Sequence, residues 1–227
     1  MSIRLFSLLL AAFVSPLVAQ EESPTKDPVS GIRIRLLAEQ APETFGKVFL
    51  QFGETKSEAF TLTTNRLADP IPVGQRLMVL KTFEKNIALC TINLPDAGKT
   101  FAVVLVASKA GGFTPIVVRT DDPGFKAGDV FFINRSEKTV LGKLGTTPLV
   151  LKPGETAKSR ATGAIDNTYY DIAFATREPT GDKLLSSSRW PVENHLRTYL
   201  FFFTNAQGRT AFRGVDEYLK ADKPAKP

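Results

Sequence analysis

The sequence predicts an all-β protein: two tandem antiparallel β-sandwiches of immunoglobulin-like type behind a signal peptide. Three observations predict it. Apolar residues alternate with period two rather than 3.6, runs rich in Val, Ile, Phe, Thr and Tyr recur about every 8–12 residues, and Gly, Pro, Asn or Asp stand between them. A single larger sandwich or barrel is the alternative reading of the same pattern.

The chain starts with MSIR, whose one positive charge is Arg4. LFSLLLAAFV (Leu5 to Val14) follows as an unbroken apolar run, and then SPLVAQ, with Pro16 and small residues near a cleavage point at Ala19 or Gln20. This is the layout of a secretory signal peptide over residues 1–20, and the run is shorter than the roughly 20 apolar residues needed to cross a bilayer. The expected location is therefore exported, periplasmic or extracellular, with no transmembrane anchor in the mature chain. No cysteine follows the run to carry a lipid. EESPTKDPVS (21–30) and KADKPAKP (220–227) are polar, Pro-bearing and aperiodic, and are expected to be disordered.

Between these ends the strands follow in order. IRIRLL (Ile32 to Leu37) sets Ile32, Ile34 and Leu36 on one face and Arg33 and Arg35 on the other. KVFLQF, SEAFTL, QRLMVLK and IALCTINL come next, and then FAVVLVAS (Phe101 to Ser108), apolar on both faces and so central to its sheet. KAGG (Lys109 to Gly112) turns it into FTPIVVR as a hairpin. TDDPGFKAG (Thr120 to Gly128) is the densest internal cluster of Asp, Pro and Gly. It places a first sandwich over 31–120, a linker over 121–127 and a second sandwich over 128–219.

The second half reads DVFFIN, KTVLGKL, TPLVL, ETAKSR, TYYDIAFATR, KLLSSSRW, TYLFFFT and RTAFR, with VDEYLK (Val215 to Lys220) the one candidate helical turn. YLFFFT is half of a hairpin closed by NAQG (Asn205 to Gly208), and its phenylalanines are core. FFINRSEKT and FFTNAQGRT share Phe-Phe, Asn, a basic residue and Thr at the same offsets, the mark either of duplication or of hairpins reusing turn residues.

Composition excludes much chemistry. The chain has 29 Lys and Arg, 23 Asp and Glu, one His and one Cys, with formal charge +6 and pI near 9.4. Loss of Arg4 lowers the charge from +6 to +5. Such a surface draws anionic partners, but the charges are interleaved and form no basic block, so nucleic acid is not an expected partner. Cys90 has no partner in the chain and falls on the apolar set Ala88, Cys90, Ile92 and Leu94, which faces it to the core.

A Ser/His/Asp triad would need His195, and the nearest serines, Ser186 to Ser188, lack a GxSxG elbow. One His and one Cys do not make a zinc or copper site. Asp121, Asp122 and Asp129, or Asp166, Asn167 and Asp171, are oxygen donors without EF-hand spacing and read as turn residues. SPTK (Ser23 to Lys26) matches SxxK by chance in an aperiodic segment, and no GxxxxGK[ST] or GxGxxG occurs, so no cofactor is expected.

The binding candidates are Arg33 and Arg35, Lys158 and Arg160, and Arg209 and Arg213. Each pair points one way from its strand, and side by side the pairs would form an anion-binding strip. Trp190, near Tyr169 and Tyr170, serves either the core or a sugar-stacking platform.

GDVFFINRSEKTVLGKLG, SSSRWP and FFFTNAQGRTAFRGVDEY together resemble segments of uncharacterised exported bacterial β proteins, chiefly over Gly128 to Tyr218; the resemblance implies no activity or site residues. TTPLVLKPGE resembles strand and turn phrases of immunoglobulin-like periplasmic chaperones. The functional expectation is a non-catalytic envelope protein that binds or scaffolds a partner protein, through a sheet edge, or an anionic polymer, through the basic rows. The alternative is an envelope glycan hydrolase using paired carboxylates such as Asp166, Asp171 and Glu178.

Overall fold

A computed structural model describes residues 31–219 except Lys109, Asp166 and Ala206; the expected signal peptide, lead segment, SPTK match and tail lie outside the described residues. The first half holds β1 (Ile32–Ala38), β2 (Val48–Phe52), β3 (Thr55–Lys56), β4 (Ile71–Val73), β5 (Leu77–Thr82), β6 (Ala88–Asn93), β7 (Thr100–Ala107) and β8 (Phe113–Arg119). The second holds β9 (Asp129–Asn134), β10 (Val140–Leu144), β11 (Thr147–Leu151), β12 (Thr156–Arg160), β13 (Tyr169–Glu178), β14 (Gly181–Pro191), β15 (Leu196–Thr204) and β16 (Thr210–Tyr218). The protein is all-β, and the strands form four four-stranded sheets, two in each of two tandem sandwiches.

Sheet I runs β3-β2-β5-β6 and sheet II β4-β1-β7-β8; sheet III runs β12-β9-β15-β16 and sheet IV β11-β10-β13-β14. Adding eight to each label of sheets I and II reproduces sheets IV and III. The parallel pairs match as well, β1 with β7 and β9 with β15, and the remaining ladders are antiparallel. Starts at Ile32 and Asp129, Thr100 and Leu196, and Phe113 and Thr210 put the copies about 97 residues apart. The fold is thus repeated, but not along the phrases FFIN and FFTN. Those lie side by side on the parallel strands β9 and β15, where Phe201 pairs with Ile133. Each sandwich has eight strands, its first strand lying between its fourth and its seventh.

The sheets stack in the order I, II, III, IV around three apolar layers. The outer layers join Ile34, Leu50 and Val103 in the first sandwich and Phe132, Phe174 and Phe202 in the second. The middle layer joins the sandwiches: Leu37, Val104 and Val118 of sheet II meet Phe131, Tyr199, Phe201 and Val215 of sheet III. Strands at the centre of such a stack need apolar residues on both faces. That is why FAVVLVAS lacks polar alternation, and why YLFFFT sends Tyr199 and Phe201 to the middle layer and Leu200 and Phe202 to the outer one.

The segment expected as a linker is packed. Phe125 is 2% exposed within the middle layer, edge-on to Tyr199 at 6.0 Å. Three other expectations change. VDEYLK is not helical, because β16 continues to Tyr218 against β15. SEAFTL is no regular strand: only Phe60 bridges, to Val48, while the short edge strand β4, masked in the sequence by Pro70 and Pro72, pairs with β1. A bulge between Leu80 and Lys81 shifts the phase of β6, so Leu89 rather than Ala88 is buried and Cys90 is half-buried.

Candidate functional site

The expected basic rows do not meet. Ile32, Ile34 and Leu36 of β1 fill the first outer layer, so Arg35 and Leu37 face sheet III. There the Arg35 guanidinium reaches Glu217 at 3.0 Å and donates to the carbonyls of Ala68 and Leu67. Arg213 comes from the opposite sheet into the same interface, lies over the Phe201 ring at 5.5 Å and donates to the Glu39 carbonyl. Lys158 is held by Asp122 at 2.6 Å, and Arg160 by Asp129 at 2.6 Å. Arg33 and Arg209 are exposed, on different sandwiches. Four of the six cations are thus engaged by protein acceptors, which leaves no continuous anion strip.

Sequence reasoning missed the most buried charges. Arg197 is 4% exposed and Glu217 5%. The Arg197 guanidinium bonds Glu217 at 3.0 Å and the carbonyls of Thr120 and Phe125 at 2.9 and 3.0 Å. The Tyr199 hydroxyl donates to Glu217 at 2.9 Å. Burial, then the Glu217 charge, pushes the Tyr199 hydroxyl far above the usual phenol range. The network clamps the two sandwiches. A signal existed: in GVDEYLK taken as a strand, Glu217 shares the apolar face of Val215.

The carboxylates offered for hydrolysis do not converge. Asp171 pairs with Arg189 at 3.3 Å and Glu178 with Lys138 at 2.7 Å, and the two acids stand seven positions apart along β13, roughly 23 Å. Asp166 lies outside the described residues. Of the calcium candidates, Asp121 accepts from Arg119 and the Lys99 amide, and Asp122 from Lys158 and the Gly124 amide. Among the described residues, no three His, Cys, Asp or Glu groups come close enough to hold a metal ion.

Among the features a ligand or partner can reach are a cleft of about 920 Å³ beside Phe60 and Ile71 of the first sandwich, which holds none of the residues singled out in the sequence, and two in the second sandwich. One is a cleft of about 500 Å³ at one end of the second sandwich, where β9, β15 and β16 of sheet III face the Tyr170–Trp190 pair of sheet IV. Trp190 is half-buried, edge-on to Phe174 at 6.4 Å, and lines the cleft with Arg160. Asp129, Glu193 and Asp216 also line it: Asp129 accepts from Arg160 and the Lys126 amide, Asp216 accepts from the Thr198 hydroxyl at 2.7 Å, and the His195 ring lies 3.3 Å from the Glu193 carboxylate. Burial, then the Glu193 charge, pushes the Tyr170 hydroxyl up, so it stays a donor. His195 stands against Tyr218 at 5.9 Å.

The other is the free edge of sheet IV. β14 has eleven residues, the most of any described strand, where its counterpart β6 has six, and it pairs only with β13. The Val192 amide bonds the Thr168 carbonyl and the Asp171 carbonyl accepts from Gly145, so the ladder alternation turns the backbone of Ser187 and Arg189 away from β13. The middle of the strand, Leu184 to Ser188, is uncharged. The same alternation turns Pro191 outward without an N–H, so the edge of β14 is open at Ser187 and Arg189; the free edge of the three-residue β4 presents Pro72.

No protein-family model matches the chain, and no curated protein matches it. Function therefore rests on the sites themselves.

Proposed function

We propose that this chain is a non-catalytic, exported envelope protein that holds a partner protein by accepting an extended segment of it as a strand beside β14. The observation that carries the reading is the eleven-residue free edge with an uncharged centre and outward-facing backbone groups at Ser187 and Arg189. Added strands gain affinity from main-chain hydrogen bonds, which salt screens little. The rival partner, an anionic polymer, loses support from the internal pairing of Arg35, Lys158, Arg160 and Arg213.

The test is partner capture from envelope extract at low and high salt, by wild type and by Ser187→Pro. Proline there removes an outward amide and leaves the β13 ladder intact. Capture that withstands salt, protects the Ser187 and Arg189 amides from hydrogen exchange and is lost in the variant is the expected result. Equal capture by the folded variant refutes strand addition.

A second reading, glycan hydrolysis by paired carboxylates, has one observation in its favour: Asp129, Glu193 and Asp216 share the cleft. Against it, Asp129 has both oxygens fixed, by Arg160 and by the Lys126 amide, which suits neither a proton donor nor a free nucleophile. Turnover of an oligosaccharide, abolished by Glu193→Gln or Asp216→Asn, would establish it.

A further inference from the structure

We propose that the Trp190 cleft, on the inner face of sheet IV rather than along the free edge of β14, is a binding site for a neutral saccharide. Its volume, about 500 Å³, is in the range of small-ligand sites. A pyranose ring needs an apolar surface for its C–H face and mixed donors and acceptors around its hydroxyls. Trp190 supplies the first from within the cleft, and Tyr218, 70% exposed beside His195, supplies a second ring at the mouth. The polar groups are of both senses: Asn194 and Thr198, the Tyr170 hydroxyl, and the carboxylate of Asp216, of which one oxygen takes the Thr198 hydroxyl.

Charge selects against other ligands. Three carboxylates line the cleft and its one guanidinium, Arg160, is neutralised by Asp129, so phosphates, nucleotides and uronic acids are repelled. A purely cationic ligand would use the acceptors and leave the donors of Asn194 and Tyr170 unused. Neutral, polyhydroxylated rings satisfy both sets.

Trp190 is the only tryptophan of the chain and lines this cleft, so its emission reports on a sugar bound there. The exported protein is titrated with cellobiose, maltotriose and chitotriose, and in parallel with trigalacturonate and choline. A saturable shift in Trp190 emission with at least one neutral sugar, and none with the charged probes, is expected. Tyr218→Ala, at an exposed position, should weaken that binding about tenfold with the circular dichroism spectrum and melting temperature unchanged. Trp190→Phe, followed by calorimetry, should weaken it too.

No saturation by any neutral sugar up to about 20 mM overturns the proposal, as does tighter binding of trigalacturonate or choline. Cleavage of the sugar overturns binding without catalysis and supports the hydrolase reading. None of these outcomes bears on capture at β14, which Ser187→Pro tests by itself.

Discussion

Glu217→Ala should weaken the fold more than any surface substitution, and the size of the loss follows from what the carboxylate holds. It accepts from Arg197 and Arg35, each at 3.0 Å, and from the Tyr199 hydroxyl at 2.9 Å. Removing one member of a buried ion pair costs about 3–5 kcal/mol, because the other charge is left without its counterion. Arg197 would keep the carbonyls of Thr120 and Phe125 and the Phe125 ring at 4.5 Å, which favours the low end, about 3 kcal/mol. The stranded Tyr199 hydroxyl adds about 1 kcal/mol. A total near 4 kcal/mol lowers the melting temperature by about 10 °C in a chain of this length. Urea unfolding followed by circular dichroism and Trp190 emission measures it. The control is Arg197→Met with Glu217→Leu, which removes the most buried pair together; it still frees Arg35 and strands the Tyr199 hydroxyl, so it should cost about 1–2 kcal/mol, well below the single variant. A cost below about 1 kcal/mol for Glu217→Ala, or an equal cost for the apolar double variant, would refute the reasoning, since the loss would not then come from an uncompensated charge.

Three further outcomes are expected. The Tyr199 hydroxyl is pushed up by burial and by Glu217, so the folded state resists its ionisation; stability from this group is full below the ordinary phenol pKa of about 10 and falls as pH rises above it. Tyr199→Phe should flatten the stability profile above about pH 10, read by urea midpoints across pH. Burial pushes the Cys90 thiol up to about 12, so iodoacetamide at pH 8 should leave it unmodified in the folded protein and alkylate it in urea, as mass spectrometry will show. Gly145 has φ +58°, and an added Cβ would strike the Thr162 carbonyl, which accepts from the Thr146 amide and ties the β10–β11 turn to the chain after β12. Gly145→Ala should therefore cost at least about 2 kcal/mol in urea unfolding.

The fold class was legible because strand periodicity and turn residues are local signals. The runs DVFFIN, TPLVL and FTPIVVR coincide with strands β9, β11 and β8. What was not legible is non-local. The bulge at Leu80 that buries Leu89 in place of Ala88 depends on how β5 and β6 pair, and β4 forms only because the flank of β1 lies open to a Pro-bearing segment. The site was less legible still. Arg33/Arg35 and Arg209/Arg213 read as surface rows because charges are usually solvated. Stacking sheet II on sheet III turns Arg35 and Arg213 inward, and no periodicity in one half can reveal that a second half will cover it. Trp190 and Arg160 were both named, yet their meeting in one cleft depends on the packing of sheets III and IV.

The repeat gives the asymmetries meaning. Two copies of one eight-strand plan differ most where one copy has been lengthened, and β14 outruns β6 by five residues, eleven against six. A fold with no use for an open edge keeps it short, bulged or charged, since free edges invite aggregation. β14 does carry the charges Asp182, Lys183 and Arg189, but they flank the neutral stretch; its bulge falls within that stretch, at Leu185, and leaves Ser186 to Ser188 in regular register with β13. The clamp at Glu217 and the shared middle layer oppose bending between the sandwiches, so the edge is presented on a stiff four-layer body. If strand capture is the purpose of that edge, swapping Leu184 to Ser188 for a segment with a central lysine should abolish capture and leave urea stability unchanged. Loss of stability along with capture would instead mean that the length of β14 serves the fold.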